Sequence, residues 1–119
     1  MDNWEKGRTG ERIAAAYLQD KGYEILEYNF RAGRQAEIDM IARQGEYLCF
    51  IEVKCRFGTT SGKGREAISP LKRNKIRLAA REYLYSRGYT PGCLRFDVIE
   101  VQVHKSQAFA EVRHFENAF

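Results

Sequence analysis

Two apolar, strand-like runs of this chain carry charge at positions that a sheet interior does not tolerate without compensation. The first is Ala36-Glu37-Ile38-Asp39, continuing through Met40 and Ile41. The second is Tyr47-Leu48-Cys49-Phe50-Ile51, followed by Glu52-Val53-Lys54. A carboxylate taken out of water is costly unless a cation or a firm ion pair meets it. Side chains alternate along a strand, so Glu52 and Lys54 share one face while Cys49, Ile51 and Val53 share the other. The same alternation groups Asp39 with Glu37 and Ile41, opposite Ile38 and Met40. If the two runs pair, Asp39, Glu52 and Lys54 converge. Two carboxylates beside a lysine suit divalent-metal-assisted cutting of a phosphodiester. Mg2+ takes one or two carboxylates and fills its remaining positions with water and phosphate oxygens. Asp39 and Glu52 are the candidate metal ligands, with the Val53 carbonyl as a third. Lys54 is the candidate for orienting the attacking water or for offsetting charge on the phosphorane.

The elements that must hold these residues are legible from pattern. Residues from about Asn3 to Lys21 are dense in helix formers and closed by Gly22, which predicts a first helix. Strand-like runs follow at Tyr23 to Phe30, Glu37 to Ala42 and Glu46 to Lys54. Arg43-Gln44-Gly45 makes a tight connection, so the second and third are expected to form an antiparallel hairpin. Phe57 to Arg65 holds three glycines and reads as a surface loop. A second helix is expected from Ser69 as N-cap and Pro70 as first helical residue to about Gly88. Cys93 to Val103 and Ala108 to Phe115 read as strands, the last at an edge. The order αβββαββ predicts one α+β domain over residues 1–119, with helices covering a mixed sheet.

Both helices send an unusual residue inward. Trp4, Gly7, Glu11, Ala14 and Leu18 fall on one helical stripe, which places Glu11 on the core-facing side with Gly7 and Gly10 beside it. Two glycines inside a helix cost about 1 kcal/mol each against alanine, so a close neighbour is expected there. In the second helix Lys72 aligns with Ile76, Ala79 and Tyr83 and looks inward. Arg73, Arg77 and Arg81 make a separate row. Glu11 is therefore a candidate to complete a metal shell or orient water, and Lys72 to hold a phosphate. The bland reading of each charge alone is an exposed surface group; their joint inward placement favours a site.

Charge distribution points to a polyanion. Between Lys54 and Arg81 lie nine Lys or Arg residues against the single acid Glu66, a local charge of +8 in a chain of net +4. Arg56, Lys63, Arg65, Lys72, Arg73, Lys75 and Arg77 are the candidate nucleic-acid contacts. The alternative is a solvated basic face. Arg95 and Asp97 share a strand face and are expected to form a structural ion pair, while His104 and His114 read as surface residues. The three cysteines are odd in number and lack CxxC spacing, which argues against a zinc site and for reduced thiols in the cytoplasm. The N-terminus lacks signal-peptide character, and no apolar run reaches the roughly 20 residues of a spanning helix, so no membrane partner is expected.

Asp39 followed by Glu52-Val53-Lys54 resembles the PD-(D/E)XK signature of the restriction-endonuclease-like superfamily. More narrowly, the chain resembles the YraN-like family of small bacterial proteins. The residues concerned are Gly10-Glu11, Ala14, Tyr17-Leu18, Asn29-Phe30-Arg31, Glu37-Ile38-Asp39-Met40-Ile41, Phe50-Ile51-Glu52-Val53-Lys54, Lys72 and Arg95-Phe96-Asp97-Val98. Ala36 departs from that pattern, which usually has glycine there. The resemblance extends to archaeal Holliday-junction resolvases, which are homodimeric and Mg2+-dependent. It implies a restriction-endonuclease-like core and a catalytic set of Glu11, Asp39, Glu52 and Lys54, with Lys72 as an accessory helix residue. It further implies Mg2+ or Mn2+ as cofactor, DNA (branched or recombination intermediates included) as substrate, and a homodimer. The competing expectations are a nucleic-acid-binding module without turnover, acting in repair, recombination or uptake, and an RNA-directed nuclease.

Overall fold

A computed structural model describes residues 3–34, 36–58, 68–90, 92–104 and 109–119, with backbone alone for residues 3–6. The elements are α1 (Asn3–Asp20), β1 (Glu24–Ala32), β2 (Ala36–Gln44), β3 (Tyr47–Phe57), α2 (Pro70–Arg87), β4 (Cys93–His104) and β5 (Phe109–Phe115). The expected order αβββαββ holds, and the five strands form one mixed sheet in the order β1-β2-β3-β4-β5.

Local chemistry explains the boundaries. Gln44 pairs with Tyr47 across a two-residue hairpin, for which Gly45 supplies a φ of +58°. At the start of α2 the Ser69 hydroxyl accepts from the Lys72 N–H at 3.2 Å, and Pro70 follows at the first helical position. Gly88 closes that helix in the left-handed conformation (φ 58°).

β3 is the central strand. It pairs antiparallel with β2 and parallel with β4 over its full length, from Tyr47–Cys93 to Phe57–Val103. α2 provides the crossover that a parallel pair requires. α1 covers one face, where Ala14, Ala15 and Leu18 bury against Met40, Cys49, Ile51, Ile99 and Val101. α2 covers the other, where Ile76, Ala79, Ala80 and Tyr83 pack on Ile38, Ile41, Leu48 and Phe50. Because both faces are covered, β3 is apolar at successive positions rather than alternating.

Two expectations require correction. Ile38 packs under α2 while Met40 packs under α1, so strict alternation fails between them. The β2–β3 ladder starts at Met40–Ile51, and the chain turns over at Asp39 as it leaves that ladder. His114 is not a surface residue: its side chain is 5% exposed. It belongs to a buried polar knot around Asp97, which is fully buried. Arg95 donates to both Asp97 oxygens at 2.9–3.2 Å, Asn117 N–H donates at 2.9 Å, and His114 Nε2 lies 2.7 Å away. Burial alone would raise the Asp97 pKa; the hydrogen bonds from His114, Arg95 and Asn117 outweigh it and hold the carboxyl below its ordinary value. The ion pair expected for Arg95 and Asp97 is thus present, and it ties the C-terminal turn to β4. His104 is partly buried as well, 3.5 Å from Glu111. Among the described residues no helix is long and apolar enough to cross a membrane.

Candidate active site

Where β2 leaves the ladder, a cleft of about 330 Å³ opens, lined by Gly7, Glu11, Asp39, Glu52, Val53, Cys55 and Phe57. Three of the four expected catalytic residues therefore share one cavity, supplied by α1, β2 and β3. The glycines of α1 make this approach feasible. A Cβ on Gly10 would lie 2.5 Å from Cys55 Cβ, so glycine is what lets α1 rest on β3. At Gly7 nothing lies within 4 Å of such a Cβ, and its bare backbone forms part of the cleft wall instead.

Asp39 is anchored through the backbone of its neighbour: the Val53 N–H donates to Asp39 Oδ2 at 2.8 Å. Burial, together with the adjoining Glu52 carboxyl, raises its carboxyl pKa to about 8, against the lowering effect of the Val53 N–H and Lys72. Glu52 itself is 7% exposed. Its Oε2 lies 3.3 Å from the Lys72 ammonium, which descends from the first turn of α2. Lys72 is expected to look inward; its side chain is 51% exposed, and only its ammonium reaches back to Glu52. Glu11 is half-buried; burial raises its pKa, opposed by a hydrogen bond from Asn29 and reinforced by the charges of Asp39 and Glu37.

The fourth residue, Lys54, stands apart from this wall. It is half-buried, strand alternation puts it on the side of Glu52, and its parallel partner is Glu100. Glu100 is buried, and its Oε2 has no hydrogen-bond partner among the described residues.

The basic candidates divide. Lys63 and Arg65 lie outside the described residues. Arg56 is half-buried on β3, and Lys75 is partly exposed on α2. Arg73 turns back on the chain, its Nε donating to the Ile68 carbonyl at 2.9 Å. Arg77 stacks over Phe96 and Phe119, 5.7 and 5.8 Å from the ring centroids. The outward row is present: Arg77 and Arg81 are exposed and Arg73 is half-buried, and the contacts of Arg73 and Arg77 are to neutral groups that leave their charge in place.

Chemically, the cleft offers the neighbouring carboxyls of half-buried Asp39 and buried Glu52 and a third acid in Glu11, with the Lys72 ammonium 3.3 Å from Glu52. Among the described residues no three His, Cys, Asp or Glu side chains sit close enough to ligate one ion together. A hard cation here would rely on Asp39 and Glu52, with oxygen from a carbonyl, water or phosphate filling the rest, as Mg2+ accepts. The donor set fits such an ion, because a divalent charge is what two adjoining carboxyls, one of them buried, lack.

Asn29 bonds to Glu11, a contact that its place in the Asn29-Phe30-Arg31 run does not reveal. Its signal is conformational, a positive φ on a non-glycine residue, which composition does not display.

Comparison with known proteins gives a consistent family. A family model described as "Uncharacterised protein family UPF0102" matches residues 10–101. A UPF0102 protein of Chlorobium chlorochromatii is 44% identical over 120 residues, covering 97% of this chain and 91% of the relative. Similar proteins from Pelotomaculum thermopropionicum (95% of this chain, 93% of the relative) and Moorella thermoacetica (100% and 98%) are each 41% identical. The YraN-like resemblance holds at this level. With a matched core that contains Glu11, Asp39, Glu52, Lys54 and Lys72, the chain belongs to the uncharacterised protein family UPF0102.

Proposed function

We propose that this protein is a metal-dependent DNA endonuclease with a restriction-endonuclease-like core, hydrolysing phosphodiester bonds in branched or recombination intermediates. The observation that carries this reading is the pairing of half-buried Asp39 with buried Glu52 in one cleft, the Lys72 ammonium lying 3.3 Å from Glu52. Two carboxyls kept so close in a half-dry site are poorly explained by stability, since one protonates at the expense of the other's charge.

Asp39 and Glu52 would hold Mg2+ or Mn2+, with the Val53 carbonyl as a further ligand. Such an ion supplies positive charge to a phosphate oxygen and makes a water acidic enough to attack at neutral pH. The chain's own residues do the rest. Lys72, already 3.3 Å from Glu52, is placed to exchange that carboxylate for a substrate phosphate. Lys54 would orient the attacking water or offset charge on the phosphorane. Glu11, across the cleft, would fix the water's second hydrogen bond. The basic segment from Lys54 to Arg81 would retain the polyanion near the cleft.

The test is cleavage of supercoiled, single-stranded and four-way-junction DNA with Mg2+ or Mn2+. Wild type should cut, and Asp39→Ala and Glu52→Ala should lose more than about a hundredfold of the rate while keeping DNA affinity. Equal residual cutting by all three proteins would contradict the enzyme reading. A second reading, a DNA-binding module without turnover, draws on the same ion pair: with Lys72 on Glu52, the cleft is partly charge-balanced without any cation. Salt-dependent DNA binding with no metal-dependent cutting would favour it.

A further inference from the structure

Asn29 lies in the middle of β1, yet its backbone has φ +51°, the left-handed region. Such a conformation strains a non-glycine residue by about 1 kcal/mol, although asparagine tolerates it better than most. It occurs at a particular level of the sheet. Tyr28 pairs with Met40 and Phe30 with Ile38, so Asn29 stands opposite Asp39. That is also where β2 switches between the α1-facing and α2-facing cores. The side chain of Asn29 is turned to α1, where its Nδ2 donates to Glu11 Oε1 at 3.3 Å.

We propose that Asn29 is a positioning residue: its left-handed backbone, set at the level of Asp39, aims the side-chain amide at Glu11 and fixes that carboxylate at the cleft. Phe30, the next residue, packs under α2, so Asn29 faces the α1 side, where Glu11 lies. The conformation and the hydrogen bond are two independent observations that converge on one neighbour. Asparagine suits both, because it visits the left-handed region and carries an N–H donor on a short, stiff arm. Asn29 does not line the cleft itself, so it acts through Glu11. The role rests on the reading of the cleft as an active site, and the experiment separates the two.

Asn29→Gly keeps the backbone conformation without a Cβ and removes only the amide. The variant should unfold within a few degrees of wild type, whereas Asn29→Ala, which keeps a Cβ in the left-handed region, should unfold lower. Crystal structures of wild type and Asn29→Gly then read the geometry directly. Glu11 should stay in place in the first and swing away or lose order in the second. In Mn2+-dependent cleavage, Asn29→Gly should be about ten- to hundredfold slower, as for other groups that hold a site residue from behind. In a Glu11→Gln background it should add little further loss, because the residue it positions is already altered. A Glu11 carboxylate unmoved in Asn29→Gly, or losses that add fully in the double variant, would overturn the proposal. Should neither protein cleave while Glu11 still moves, the positioning role stands and the nuclease reading falls. If Asn29→Gly does not fold, Asn29→Asp, which tolerates the same backbone and has no N–H, takes its place with the same expectations.

Discussion

At the scale of single residues, Asp39 makes the sharpest statement. Its carboxyl titrates at about 8 in the folded chain against 3.8 when exposed. Between those values the folded protein holds a proton that the unfolded chain has released. Stability from this group is therefore full below the unfolded value and is lost as pH rises through the folded one. Metal-free protein should show a Tm that declines across this window, and Asp39→Asn should flatten the decline, as followed by calorimetry in metal-free buffer. Asp97 behaves oppositely. Its pKa is held low, so its contribution is present at neutral pH and fades in acid. Asp97→Ala would leave Arg95 buried without its main partner and should cost about 3–5 kcal/mol in denaturant unfolding. The acids of β2 and β3 were legible as a pair in the sequence because charge interrupts apolar runs there. The Asp97 knot was half legible: Arg95 and Asp97 share a face, but His114 comes from another strand, and only the antiparallel β4–β5 pairing brings it in.

At the scale of elements, α1 is a helix whose glycines do different things. Gly10 meets Cys55, and any side chain there must displace β3. Gly7 meets nothing, so a methyl group fits. Gly10→Ala should therefore destabilise the fold, while Gly7→Ala should raise stability by up to about 1 kcal/mol through helix propensity, measured by denaturant unfolding. The sequence signalled that some close neighbour was needed but not which glycine needed it, since both lie on the same helix side. Helix ends, the hairpin and the edge strand were readable because Ser69-Pro70, Gly88 and Gly45 set local geometry by themselves. The parallel pairing of β3 with β4 follows from the crossover through α2. The turnover of β2 at Asp39 was not readable, because it is a tertiary accommodation: Ile38 and Met40 are equally apolar, and nothing local says they bury in different cores.

At the scale of the molecule, the sequence from Lys54 in β3 to Arg81 in α2 carries +8, of which Lys63, Arg65 and Glu66 lie outside the described residues. Two of its arginines also make contacts within the protein. Arg77 is stacked on Phe96 and Phe119, and Arg73 is bonded to Ile68. DNA affinity should fall with salt, and removing the charge of Lys72 or Lys75 should lower the logarithmic slope by about 1 each. Arg77→Ala should lower the slope in the same way and in addition cost some stability through its lost ring contacts. The measurement that bears most directly on the whole account is the anomalous difference map of a crystal soaked in Mn2+. A peak bridging the carboxylates of Asp39 and Glu52, lost in Asp39→Asn, is the predicted result. Saturating Mn2+ with no peak at the cleft, or a peak that survives Asp39→Asn unchanged, would contradict it.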